Sequence, residues 1–236
     1  MTLLLLFVTA ELAAAFVSVP LGAAIHAVVV LVAVNRYVLS DEPRPLWPVV
    51  ALLSAARLVA MALPISSEAG RAALVGAPVV VASLLLRRQV PEEGVPAGRR
   101  GRDLVAAAAI GAPLGVSAAA AEHLRLPVFA HPVAGYLVTA VCLGLFSATA
   151  EELGFRRLLV PAARESFGAA GAWVASVGLF TATYLASRSA VVVGLAAAAG
   201  ILFTWAYERT RSIAVPVVGH AVATIGAFLV WPALVR

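Results

Sequence analysis

The sequence of 236 residues has little charge, a single cysteine and no lysine. Charged residues make up 12% of it, where a soluble domain carries about 25%, and hydrophobic residues make up 62%, where about 45–50% is usual. So little charge excludes a soluble globular enzyme, and so much apolar content excludes a disordered chain. The lone Cys142 excludes disulfides and thiolate metal clusters within one chain. All 17 basic positions are arginine, in short clusters, with no basic stripe and no interleaved aromatics, so a nucleic-acid partner is not expected. The net charge of +5 suits loops that face anionic lipid. Arg36 is the first basic residue and no clear cleavage site follows, so a cleaved signal peptide is not expected, nor is a transit or lipidation signal. No internal repeat is visible. These absences leave an integral membrane protein.

Long apolar runs are what the chain does have. A spanning helix needs roughly 20 apolar residues. Runs between breakers predict an all-α, polytopic membrane bundle of about eight or nine transmembrane helices. The run from Leu3 to Leu39 is too long for one crossing, and Pro20-Leu21-Gly22 predicts a break into 2–18 and 22–39. Further spans are expected at 46–64 (ended by Pro64), 71–86, 104–120, 133–156, 170–187, 190–206 and 213–234. The polar stretch 87–103, rich in Arg, Pro and Gly, is the one long linker. The expected organisation is therefore N-terminal transmembrane helices over 1–90, a cytoplasmic Arg-rich linker over 87–103, and a transmembrane core over 104–236. With the linker inside, Arg36, Arg44, Arg156, Arg157, Arg164, Arg209 and Arg211 also fall inside. Arg71, Arg125, Arg188 and Arg236 remain outside, which places the N-terminus in the cytoplasm. Ala-rich, all-Arg usage suggests a GC-rich bacterial genome, and the lack of a transit or lipidation motif points to insertion in the inner (plasma) membrane. The small-residue stretches 118–121 and 196–199 suit close helix packing.

A charged side chain in hydrocarbon needs a partner or a purpose. Glu11, His26 and Arg57 have no motif around them and are expected to pair with each other or to snorkel. The segment Glu151-Glu152-Leu153-Gly154-Phe155-Arg156 is different: two adjacent carboxylates end an apolar helix, and Arg156 lies one turn after Glu152, on its face. Glu151 points about 100° away. One carboxylate could stay ionised in a cavity and act as a general base toward water. Equally, both could be solvated at an interfacial helix end, with Arg156 and Arg157 as anchors. His220 by itself is a packing histidine as readily as a catalyst, and Thr224, one turn on, is of a type that bonds its own backbone. Phe180 and Tyr184 by themselves read as core.

In order and spacing these segments resemble the CPBP family, the CAAX prenyl endopeptidases and their bacterial relatives. That family's signature is Glu-Glu-x-x-x-Arg, then Phe-x-x-x-His, then His-x-x-x-Asn, on three successive helices. The first motif is intact at Glu151 to Arg156. The second stands as Phe180-Thr181-Ala182-Thr183-Tyr184 and the third as His220-Ala221-Val222-Ala223-Thr224. The resemblance covers roughly residues 140–228. It implies that Glu151 is the water-activating base, that Glu152 and Arg156 tune or brace it, and that His220 polarises water or donates to the oxyanion. Tyr184 and Thr224 depart from the family's His and Asn. A phenol of pKa about 10 is a poor base, though it can donate to an oxyanion, and a threonine lacks the second donor of an amide. A catalytic zinc wants three protein ligands, so no metal and no other cofactor is expected. With the spans drawn above, Tyr184 falls deeper than Glu151 and His220, toward the far side of the core.

The expected function is an intramembrane endopeptidase that uses Glu151-activated water on a lipidated or hydrophobic peptide. Two alternatives stand beside it. One is a membrane-embedded acid/base enzyme for proton transfer or cyclisation of a lipophilic small molecule. The other is a non-catalytic scaffold or regulator of the same fold. The partners expected are membrane lipid and one of those substrates.

Overall fold

The computed structural model describes residues 1–42, 44–63, 68–86, 88, 100–122 and 133–230. Most of the linker 87–103 lies outside the described residues, as do Pro64, Arg125 and Arg236. Among the described residues the fold is all helical, with no strand. The helices are α1 (Thr2–Phe16), α2 (Val19–Val38), α3 (Leu46–Ala62), α4 (68–86), α5 (Arg100–Glu122), α6 (133–167), α7 (169–182), α8 (Ala190–Thr210) and α9 (214–230).

Among the described residues four stretches are long and apolar enough to cross a membrane: Val19–Val38, Gly101–Ala121, Val138–Ser187 and Ala190–Thr210. Shorter apolar helices, Thr2–Phe16, Leu46–Ala62, Ala72–Leu86 and Ala214–Phe228, accompany them. Large apolar side chains point outward all round, including Leu31 at 70% exposure, Val105 at 72% and Val174 at 69%. In water such a surface would aggregate; against acyl chains it is the ordinary solvent face. The chain is a multi-pass membrane protein.

Local chemistry explains the boundaries. Proline 20 does not break the first run; it lies in the opening turn of α2, where its missing N–H costs nothing. The break comes earlier, at Ser18, whose hydroxyl accepts from the Leu21 N–H at 3.3 Å. Gly22 then lets α2 lie directly against the backbone of Ala10 and Ala14 in α1. Gly111 and Gly115 of α5 do the same against the carbonyls of Gly219 and Ala223 in α9, where any Cβ would collide. That four-residue glycine spacing lets α5 and α9 cross in backbone contact.

The expected break between 156 and 170 is corrected. Helix α6 continues to residue 167 and the chain turns at Gly168, whose φ of 74° and ψ of −177° suit only glycine. Glu151 and Glu152 therefore sit in mid-helix, not at a helix end. Wide π-type turns at Cys142–Ala148 and Leu153–Leu159 flank them. Such turns shift backbone partners, and side chains fill in. Thr149 Oγ1 donates to the Gly144 carbonyl at 3.1 Å, and Ser176 Oγ donates to the Phe155 carbonyl at 3.1 Å. After α7, a short turn ends at Arg188, whose Nε donates to the Ala15 carbonyl at 2.6 Å and fastens the turn to the end of α1.

Candidate active site

The turn at Gly168 sets the depth of the site. Glu151 stands seventeen residues before it and Tyr184 sixteen after it. At about 1.5 Å per residue the two arms bring both to the same level, about 25 Å from the turn. The tyrosine hydroxyl donates to Glu151 Oε2 at 3.4 Å. The expectation that Tyr184 lies deeper, toward the far side, is overturned; it follows only if the break is placed too early.

Glu152, Arg156 and His220 form one buried knot. Glu152 and Arg156 are wholly buried, and His220 nearly so. Arg156 Nη1 donates to Glu152 Oε1 at 3.1 Å, and His220 Nδ1 lies 2.7 Å from the same oxygen. A carboxylate held beside a guanidinium accepts and does not donate, so the Nδ1–H of His220 points to Glu152 and Nε2 is the nitrogen left for other contacts. That Nε2 lies 4.0 Å from Glu151 Oε2. Burial excludes the reading of Glu152 as a solvated interfacial carboxylate. Arg156 Nη2 also donates to the Gly200 carbonyl at 3.4 Å.

Aromatic rings close round the knot. The Arg156 guanidinium sits 4.3 Å from the centre of Phe180 and 5.8 Å from Phe203, and Phe203 stacks on His220 at 5.5 Å. A cation in hydrocarbon gains from such faces, and the rings keep water from the Glu152 pair. Phe180 also meets Tyr184 at 5.3 Å and His220 edge-on at 5.8 Å. Phe203 belongs to none of the three motifs; its signal in the sequence is its place in the stretch Gly200 to Pro216, which resembles the family's lead into its last motif. The Thr224 hydroxyl donates to the His220 carbonyl at 3.0 Å, as its residue type leads one to expect.

Two cavities meet these residues. One of about 160 Å³ is lined by Glu151, Ser147, Phe155 and Thr183, and on its other wall by Leu53 and Arg57 of α3 and Arg71 and Val75 of α4. A single water needs roughly 10–15 Å³ of such space, so several fit. The second, about 110 Å³ and largely apolar, is lined by Tyr184, His220, Thr224, Phe203 and small residues of α5 and α8. Glu151 is the one carboxylate of the pair that reaches open space, with its side chain 31% exposed. Among the described residues no three His, Cys, Asp or Glu side chains are grouped to hold a metal.

Glu11, His26 and Arg57 do pair with one another. Arg57 Nε donates to Glu11 Oε1 at 2.5 Å and Nη2 to Oε2 at 2.9 Å, while His26 Nε2 lies 3.3 Å from Oε1.

Residues 133–226 match the family model of the type II CAAX prenyl endopeptidase Rce1-like proteins. This segment of the chain is Rce1-like, of the CPBP family. It carries all three motifs and every member of the buried knot. The helices that form the opposite wall of the Glu151 cavity, α3 and α4, lie outside it. No curated protein and no solved structure matches the chain. The Rce1-like segment and the apolar helices together describe a CAAX protease-like membrane protein.

Proposed function

We propose that the chain is an intramembrane endopeptidase acting on a hydrophobic or lipidated peptide, with Glu151 as general base. One observation carries this reading: two adjacent carboxylates have opposite environments. Glu152 is sealed from solvent and held at Oε1 by Arg156 and His220, whereas Glu151 opens onto a cavity with room for water. A carboxylate that must accept a proton needs access to it, and one that must orient a histidine needs the reverse. Glu151 removes a proton from water, whose oxygen attacks the peptide carbonyl carbon. Glu152 orients the His220 ring so that Nε2 turns toward Glu151, where it helps to place that water. Arg156 braces Glu152, and Tyr184 fixes the Glu151 carboxylate. Thr224 braces the backbone of its own helix at His220.

In this reading the helices within 1–90 supply one wall of the cavity, 104–236 supplies the reacting groups, and the linker 87–103 faces the cytoplasm. The arginine distribution puts the N-terminus there too, in a bacterial inner membrane. The test is cleavage of quenched hydrophobic peptides, with and without an S-alkylated cysteine, by protein in nanodiscs. Glu151→Gln should lose about 10²–10⁴-fold in turnover; undiminished cleavage would sink the reading.

The hydrogen bond from Tyr184 to Glu151 favours a second reading, an acid/base enzyme for a lipophilic small molecule, because it pairs a donor with an acceptor beside an apolar cavity. Tyr184→Phe separates the two. It would abolish such a proton relay and only loosen a peptidase. If neither Glu151→Gln nor Tyr184→Phe has any effect in cells, the protein is a scaffold.

A further inference from the structure

A carbonyl attacked by water becomes an oxyanion, and the site must hold donors for it. The two motif positions that depart from the family pattern do not supply them: the Thr224 hydroxyl is spent on the His220 carbonyl and the Tyr184 hydroxyl on Glu151. The wall of the Glu151 cavity built by α3 does hold a donor. We propose that Arg57, which lies outside the Rce1-like segment, is the oxyanion donor of this site. The inference rests on the reading of Glu151 as the base.

A guanidinium has five N–H bonds in a fixed fork. Arg57 spends three: Nε on Glu11 Oε1 at 2.5 Å, and Nη2 on Glu11 Oε2 at 2.9 Å and on the Thr183 carbonyl at 3.4 Å. Nη1, with its two N–H bonds, has no protein partner among the described residues, and the side chain is 25% exposed, lining the cavity together with Glu151. The grip is rigid because Glu11 is wholly buried and is itself held by His26. The contact to Thr183 ties Arg57 to the residue that precedes Tyr184. A cation clamped on one side, with unsatisfied donors on the other, costs no reorganisation when charge develops before it. Arg71 lines the same cavity but is itself partnered.

The step balances without another reactant. Water gives a proton to Glu151 as its oxygen bonds to the carbonyl carbon. The carbonyl π pair moves to oxygen, and that oxyanion accepts from Nη1 of Arg57. The adduct collapses as the C–N bond breaks, and the leaving amine takes the proton back from Glu151.

The experiment measures kcat and KM on the quenched peptides in nanodiscs, and binding of a phosphinate peptide whose tetrahedral PO₂⁻ imitates the adduct. Arg57→Gln should lower kcat by about 10²–10³-fold with KM nearly unchanged, and weaken the phosphinate by a similar factor. Arg57→Gln leaves Glu11 without its cation, so Glu11→Gln/Arg57→Gln, which removes both charges, is measured beside it and should show the same kcat loss. Guanidinium in the buffer should restore part of the turnover of Arg57→Ala, which a purely structural role would not allow. If kcat and phosphinate binding survive in the double variant, or if Arg71→Gln and not Arg57→Gln carries the loss, the proposal is overturned. Glu151→Gln reports on the base separately. If that variant still cleaves, the base is misassigned, while Arg57 stands or falls on its own kcat and phosphinate losses.

Discussion

Two buried trios of glutamate, histidine and arginine occur in this bundle. In the N-terminal helices Glu11 accepts from Arg57 and meets His26; in the Rce1-like segment Glu152 accepts from Arg156 and His220. Each glutamate is wholly buried, and each histidine packs against a phenylalanine, Phe7 at 4.9 Å and Phe203 at 5.5 Å. The chemistry of assembly is the same: a carboxylate is tolerated in a membrane interior when a guanidinium and an imidazole satisfy it. What differs is where the unused atoms point. His220 turns its second nitrogen toward Glu151, whereas His26 Nδ1 is buried with no partner. Arg156 is sealed among rings, whereas Arg57 reaches a cavity. The Rce1-like trio thus offers its histidine to the site and the N-terminal trio offers its arginine.

That comparison can be broken or sharpened by substitution, with stability read from SDS-titration unfolding in bicelles. Glu152→Ala should cost most, about 3–5 kcal/mol, because it strands Arg156 with no water in reach. Glu11→Ala should cost about half that, roughly 2 kcal/mol, since Arg57 is partly open and can be hydrated from the cavity. Equal losses at the two sites would show that exposure does not separate the trios. Ser176→Ala, which removes the hydroxyl holding the Phe155 carbonyl and touching Thr204 Oγ1 at 3.1 Å, should cost about 1 kcal/mol. His26→Phe should be the mildest, within about 1 kcal/mol, because one ring nitrogen is already orphaned and the other makes only a 3.3 Å contact. A large loss there would mean that the N-terminal histidine carries more than packing.

Much of the site's pairing is legible in the amino-acid sequence. The pairing of Glu152 with Arg156 follows from their spacing, and the mutual pairing of Glu11, His26 and Arg57 from the cost of leaving any of them alone in hydrocarbon. The depth of Tyr184 does not follow in the same way, because proline and arginine suggest a break near 156. The true turn rests on one glycine with a positive φ, which hydropathy does not register. Likewise, the expected break at Pro20 moves to Ser18 because a proline in a first turn starts a helix and does not end one.

By itself the sequence determined the environment and the inventory. Scarce charge and long apolar runs require a membrane, since no aqueous fold could cover such a surface, and residues 133–226 carry a recognisable likeness to the Rce1-like family. Only the tertiary structure decided which carboxylate is sealed and which is open. Adjacent residues on a helix differ by a rotation, and what they meet depends on neighbours far away in sequence. His220 lies 68 residues from Glu152, and Arg57 and Glu11 are 46 apart. Periodicity reports a face, not what is packed against it, so the role of α3 in lining the Glu151 cavity could come only from packing.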